Sequence, residues 1–78
     1  MLMQEWERSK YSILDAWAWR CAAPQCWRKT SFVHEITSRG AGGKVEWGNS
    51  IPLCYAHHQQ AHAGLISEAA LRKWLRRR

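Results

Sequence analysis

The sequence predicts a small α+β fold stapled by metal ions, and three observations carry that expectation. Residues 31–36 and 49–53 are short β-prone runs on either side of a glycine-rich loop. Helical patterns flank this pair at both ends of the chain. The segment 49–62 then gathers three of the four histidines and the last of the three cysteines. A chain of 78 residues is one small domain with a marginal apolar core, so a staple is expected. Three cysteines cannot pair completely into disulfides, and no apolar leader follows Met1. The expected setting is therefore the cytoplasm, where reduced thiols suit zinc. No apolar run approaches the roughly 18 residues of a membrane span, so no membrane partner is expected.

Taken in order, residues 3–19 read as a helix. Trp6, Ile13, Leu14 and Trp17 form its stripe, while Gln4, Glu7, Arg8, Lys10 and Asp15 lie mostly off it. The six tryptophans, Trp6, Trp17, Trp19, Trp27, Trp47 and Trp74, are expected mainly in the core, since a tiny domain gains much from each large ring it buries. Trp19, Trp27 and Trp47 have the alternative of facing a ligand or a base. Pro24 ends any helical continuation and helps a turn bring Cys21 and Cys26 together. Phe32, Val33 and Ile36 make 31–36 a strand, with His34 and Glu35 near its end. Glycines in the 37–43 loop permit positive φ and close backbone approach. Val45 to Trp47 reads as a brief extended piece, and 49–53 as a second strand that Pro52 confines to an edge or to its end. Residues 55–63 form a helix stopped by Gly64. Ser67 caps a last helix that starts at Glu68 and runs into an arginine tail. The single domain thus divides into an N-terminal helix (1–20), a metal-bearing core (21–64) and a C-terminal helix with a basic tail (65–78).

Histidine and cysteine spacings point to two metal sites sharing one helix. Cys54 and His57 stand three apart, as the second half of a zinc site does when it runs into a helix. With Cys21 and Cys26 they complete a Cys3His set suited to a structural Zn²⁺. The alternative is three small buried cysteines and an unrelated histidine. His58 and His62, four apart, project from one helix face and can hold a second ion. His57 points about 100° away from His58, toward the other site.

The net charge is +6 and the pI about 9.8, which draws a small protein to polyanions. Arg72, Lys73, Arg76, Arg77 and Arg78 crowd the C-terminus, with Arg28 and Lys29 elsewhere. These basic residues are expected to supply salt-sensitive phosphate contacts with DNA, joined by Arg39 and Lys44 from the loop. The bland alternative is a solvated face that keeps the protein soluble.

Taken together, His34-Glu35-Ile36, Arg39-Gly40, Gly42-Gly43, Asn49, Leu53-Cys54, His57-His58 and His62 resemble the HNH endonuclease family, in the compact form that bacteriophages encode. The likeness covers residues 21 to 62. It implies a ββα-metal (His-Me finger) core: two antiparallel strands, a loop and a helix around one catalytic divalent ion, beside a structural zinc. It also implies hydrolysis of DNA phosphodiester bonds. Carried over, the likeness places His34, His58 and His62 on the catalytic ion and Asn49 as the residue that ties the loop. The structural zinc falls to Cys21, Cys26, Cys54 and His57. The departure is Glu35, which stands where the family usually has a second histidine as general base. Three roles stay open for it: Glu35 as the base, His34 as the base, or Glu35 as an ion or outer ligand in a weak or inactive enzyme. Neighbouring strand residues face opposite ways, so His34 and Glu35 both meet the ion only if the strand bends. The ion is Mg²⁺, Mn²⁺, Ni²⁺ or Zn²⁺, which histidine ligands do not decide.

A domain with one such centre nicks one strand at a time with low sequence specificity, and double-strand breaks need a homodimer or a partner protein. A phage packaging machine in the bacterial host cytoplasm is one such setting. The rival is a zinc-stabilised DNA-binding module or nuclease accessory without catalysis.

Overall fold

The computed structural model describes residues 4–77, apart from the side chain of Arg39. Its elements run α1 (Glu5–Ala16), β1 (Val33–Glu35), a 3₁₀ turn (Arg39–Ala41), β2 (Ser50–Pro52), α2 (Tyr55–His62) and α3 (Glu68–Arg76). The architecture is α+β, with three helices and one two-stranded antiparallel sheet. None of these helices is long and apolar enough to cross a membrane.

The first helix closes earlier than its apolar stripe suggests. Ala18 and Trp19 take φ of 54° and 56°, left-handed values that no helix continues through. The Trp19 N–H turns back onto the Leu14 carbonyl at 2.8 Å. Ile13 and Leu14 are buried as α1 packs on β2, but Trp6 at the far end of the stripe is exposed.

β1 and β2 pair with Val33 opposite Pro52, His34 opposite Ile51 and Glu35 opposite Ser50. Both strands are shorter than the β-prone runs. The Thr30 hydroxyl caps the start, accepting from the Phe32 N–H at 3.0 Å and donating to the Leu53 carbonyl at 2.7 Å. Pro52 tolerates its place because its carbonyl still accepts from the Ala22 N–H at 2.9 Å, and a proline lacks only the donor. Residues 45–47 form a bend and turn instead of the extended piece.

The core is built from small side chains: Cys21, Ala22, Ala23, Ile51, Leu53, Cys54 and Leu71. Trp17 and Trp74 pack against it half-buried. The expectation of a tryptophan-filled core is corrected, because Trp6, Trp19, Trp27 and Trp47 all remain exposed. Thiols and alanines leave an interior too narrow for more large rings. Tyr11 stacks on Trp19 at 6.0 Å, and the Trp19 indole donates to Asp15 at 2.8 Å, so that ring is engaged within its own corner of the surface.

Candidate metal centre

Two sets of metal-ligating side chains meet on α2, divided between the neighbouring residues His57 and His58. The first begins at a knuckle. Cys21 and Cys26 lie on a loop closed by the antiparallel bridge Arg20–Lys29 and by the Cys21 N–H donating to the Arg28 carbonyl at 2.9 Å. Within it the Cys26 N–H reaches the Ala23 carbonyl at 3.1 Å, and Gln25 takes a φ of 61° to make the corner. Cys54 is the N-cap residue of α2, which puts His57 in the first turn.

The His57 Nδ1 lies 3.1 Å from the Cys54 Sγ and 3.5 Å from the Cys21 Sγ, and the Cys26 and Cys54 sulfurs are 4.0 Å apart. All four donor atoms fall within 4.8 Å of one another. Bonds of about 2.3 Å to a common tetrahedral centre separate ligand atoms by roughly 3.8 Å. The cluster therefore has the dimensions to hold a metal such as zinc. Burial pushes the Cys21 thiol up to about 11. Cys54 also feels burial, but hydrogen bonds from the His57 backbone and ring and from Cys21 and Cys26 outweigh it and bring its thiol down to about 7. Cys54 is thus more ready than Cys21 to become a thiolate ligand.

The second set is His34, His58 and His62, whose donor atoms also lie within 4.8 Å of one another. β1 supplies the buried His34, and one turn of α2 supplies the other two. Ring centroids are 4.5 Å apart for His58 and His62, 5.1 Å for His34 and His62, and 5.5 Å for His34 and His58, all edge to face. The His34 Nδ1 is buried without a hydrogen-bond partner. Buried polar atoms are normally satisfied, so an unpartnered ring nitrogen on a histidine that two more imidazoles surround is consistent with a ligand site. Burial, then the neighbouring His58 and His62, pulls His34 below its ordinary value, and burial followed by His62 does the same to His58. Both rings are thereby kept in the neutral form that metals bind.

Val33, His34, Glu35, Ser38, His58 and His62 line an open cleft. Glu35 thus shares the cleft with His34 despite the alternation of a strand, although its carboxylate is not one of the mutually close donors. Three donors with an open side differ from the four that close around a structural ion.

Asn49 organises the loop between the strands. Its Oδ1 accepts from the Thr37 N–H at 2.8 Å, and its Nδ2 donates to the carbonyls of Thr37 and Lys44 at 3.1 and 2.9 Å. A Cβ on Gly43 would collide with the Thr37 carbonyl, so this crossing requires glycine.

The basic residues divide. Arg28, Lys29, Lys73, Arg76 and Arg77 are exposed, and Lys44 is exposed with a loose 3.9 Å contact to Glu46. Arg72 is partly exposed but tied across the fold: it donates to Glu68 at 3.1 Å, the Thr37 hydroxyl at 3.2 Å and the Gly48 carbonyl at 3.3 Å. The Arg39 side chain and Arg78 lie outside the described residues.

Sequence reasoning missed Phe32 and Tyr55. The Phe32 ring stacks on His58 at 5.7 Å and 10°, and Tyr55 meets Phe32 at 6.1 Å. One signal was present: Tyr55 precedes His58 by three residues on α2, hence on one face.

No family model, curated protein or solved structure matches the chain.

Proposed function

We propose that the chain is an HNH-type endonuclease that hydrolyses DNA phosphodiester bonds at the His34, His58 and His62 cleft. The observation that carries this reading is the convergence of three imidazoles from an antiparallel pair and its following helix, one of them the buried His34. The order of β1, β2 and α2 along the chain supports reading them as the parts of the ββα-metal arrangement that the sequence resembles.

In this reading His34, His58 and His62 hold one divalent ion and the Cys21, Cys26, Cys54 and His57 set holds zinc. A hard divalent ion held by these residues would supply charge neutralisation to the phosphate and the departing 3′ oxygen. Glu35, on the rim of the same cleft, takes the proton from the attacking water, because His34 is committed as a ligand. Asn49 keeps the Thr37 end of the loop in register with β2, and so holds the strand that bears His34 and Glu35. The exposed Arg28, Lys29, Lys73, Arg76 and Arg77 add affinity without reading bases.

The test uses supercoiled plasmid and zinc-loaded protein with added Mg²⁺ or Mn²⁺, beside EDTA, His58→Ala and Glu35→Ala lanes. Open circles that EDTA and His58→Ala abolish are expected, with Glu35→Ala reduced at least about a hundredfold, the scale of losing a general base. Plasmid that is retarded on the gel but uncut with every ion would instead favour the zinc-stabilised binding module.

A further inference from the structure

A row of rings leads out of the histidine cleft to the surface. Phe32 stacks on His58 with ring centroids 5.7 Å apart, and Tyr55 meets Phe32 at 6.1 Å. The inner end of the row, His58, touches both other cleft histidines. The outer end is open: Phe32 is 44% exposed and Tyr55 63%. The Tyr55 hydroxyl is held by the Gln59 amide at 2.9 Å, so the outer ring has a fixed position on α2. Arg28 and Lys29, both exposed, come just before Phe32 in the chain, which carries a net charge of +6. Exposed aromatic rings on a chain of net positive charge suit one ligand above others: a polyanion that carries flat rings of its own.

We infer that Phe32 and Tyr55 form a stacking platform for an unpaired base, so that the preferred nucleic acid is single-stranded, gapped or frayed. A closed duplex hides the faces of its bases inside the stack, whereas a single strand offers them freely. Placing that base one ring away from His58 brings the adjoining phosphate to the cleft. The position of the platform relative to the cut rests on the nuclease reading above, but binding of the base does not.

Anisotropy of a labelled single-stranded oligonucleotide, compared with the same sequence as a blunt duplex, tests this. The zinc-loaded protein is used with no other divalent ion, and a denaturing gel checks that the oligonucleotide stays intact during the titration. Tyr55→Ala is expected to weaken single-strand binding about tenfold, the scale of losing one stacked base, and to leave duplex binding within about twofold. Phe32→Trp, which keeps a flat ring, is expected to retain single-strand affinity. Equal weakening on both substrates, no weakening on either, or loss of single-strand affinity in a folded Phe32→Trp would overturn the platform. The plasmid assay separates the two readings. Single-strand preference with no nicking defeats the nuclease alone. Nicking without any effect of Tyr55→Ala on single-strand binding defeats the platform alone.

Discussion

The Cys21, Cys26, Cys54 and His57 knuckle and the His34, His58 and His62 cleft are built on the same two turns of helix, yet they are opposite kinds of site. The knuckle brings four donors together, two of them on buried cysteines, which is the number that completes a tetrahedral structural site. The cleft brings three, grades from buried His34 to exposed His62, and opens to solvent beside two exposed aromatic rings. Helix α2 itself buries no residue. A helix without an apolar face has little to dock it by hydrophobic burial, and on the proposed reading metal held through Cys54 and the histidines adds to the packing of Ala61 on the core. On the proposed reading, the four-donor set serves folding and the three-donor set serves chemistry.

The largest effect separates them directly. Cys54→Ser, or removal of metal by a strong chelator, is expected to abolish the cooperative thermal transition followed by circular dichroism. Structural zinc contributes about 10–16 kcal/mol in comparable small sites, as much as or more than the roughly 5–15 kcal/mol of net stability a domain has. His58→Ala is expected to keep the transition within a few degrees while removing metal from the cleft. A His58→Ala protein that melts as low as Cys54→Ser would break the division between the sites.

The loop joining the strands comes next in size. Asn49 makes three hydrogen bonds at 2.8, 3.1 and 2.9 Å, and it is buried. At about 1 kcal/mol each, Asn49→Ala should lose about 3 kcal/mol in urea unfolding. Gly43→Ala should cost a similar amount through the clash with the Thr37 carbonyl. If Asn49→Ala loses less than about 1 kcal/mol, the loop is held by something else and Asn49 has no claim to position the cleft.

Legibility in the sequence followed the same boundary. Spacing alone paired His58 with His62 and turned His57 toward the cysteines, because both relations are local to one helix. The Ser67 cap was equally local, and its hydroxyl accepts from the Ala70 N–H at 3.1 Å. What depended on contacts between distant segments was less readable. The apolar stripe of α1 ran on to Trp17, but the left-handed turn at Ala18 and Trp19 had no glycine to announce it. The tryptophans were expected inside by their size, yet a core of alanines, thiols and short aliphatics had no room for them. Arg72 looked like one more tail cation, since the Thr37 and Gly48 groups that hold it lie 35 and 24 residues away.

Acid should act on the open site in a way that reports its burial. Burial, together with neighbouring histidines, lowers His34 and His58 below the ordinary 6.5. Their neutral forms persist as pH falls to that value, and protons displace metal only below it. Titration of Mn²⁺ or Ni²⁺ by calorimetry is expected to give nearly constant affinity from about pH 8 to 6.5, then a fall of about tenfold or more by pH 5.5. Affinity that already declines above pH 7 would mean that these imidazoles are solvated, and the cleft would lose its contrast with an ordinary surface histidine cluster.

The smallest effect sharpens the boundary between binding and folding. Arg72 is only partly exposed, with 37% of its side chain accessible, and it links α3 to the two ends of the Asn49 loop through Thr37 and Gly48. Arg72→Met keeps the aliphatic stem and removes these bonds, so it should cost about 1 kcal/mol in thermal melts. Because its guanidinium is already occupied, the salt dependence of DNA affinity should stay almost unchanged. Arg76→Ala is the counterpart: the exposed Arg76 makes no comparable contact among the described residues, so its loss should leave the melt alone and lower the log–log salt slope by about 0.9, the release from one phosphate. A full unit of slope lost with Arg72→Met and no change in melting would move this arginine from the scaffold to the nucleic-acid surface.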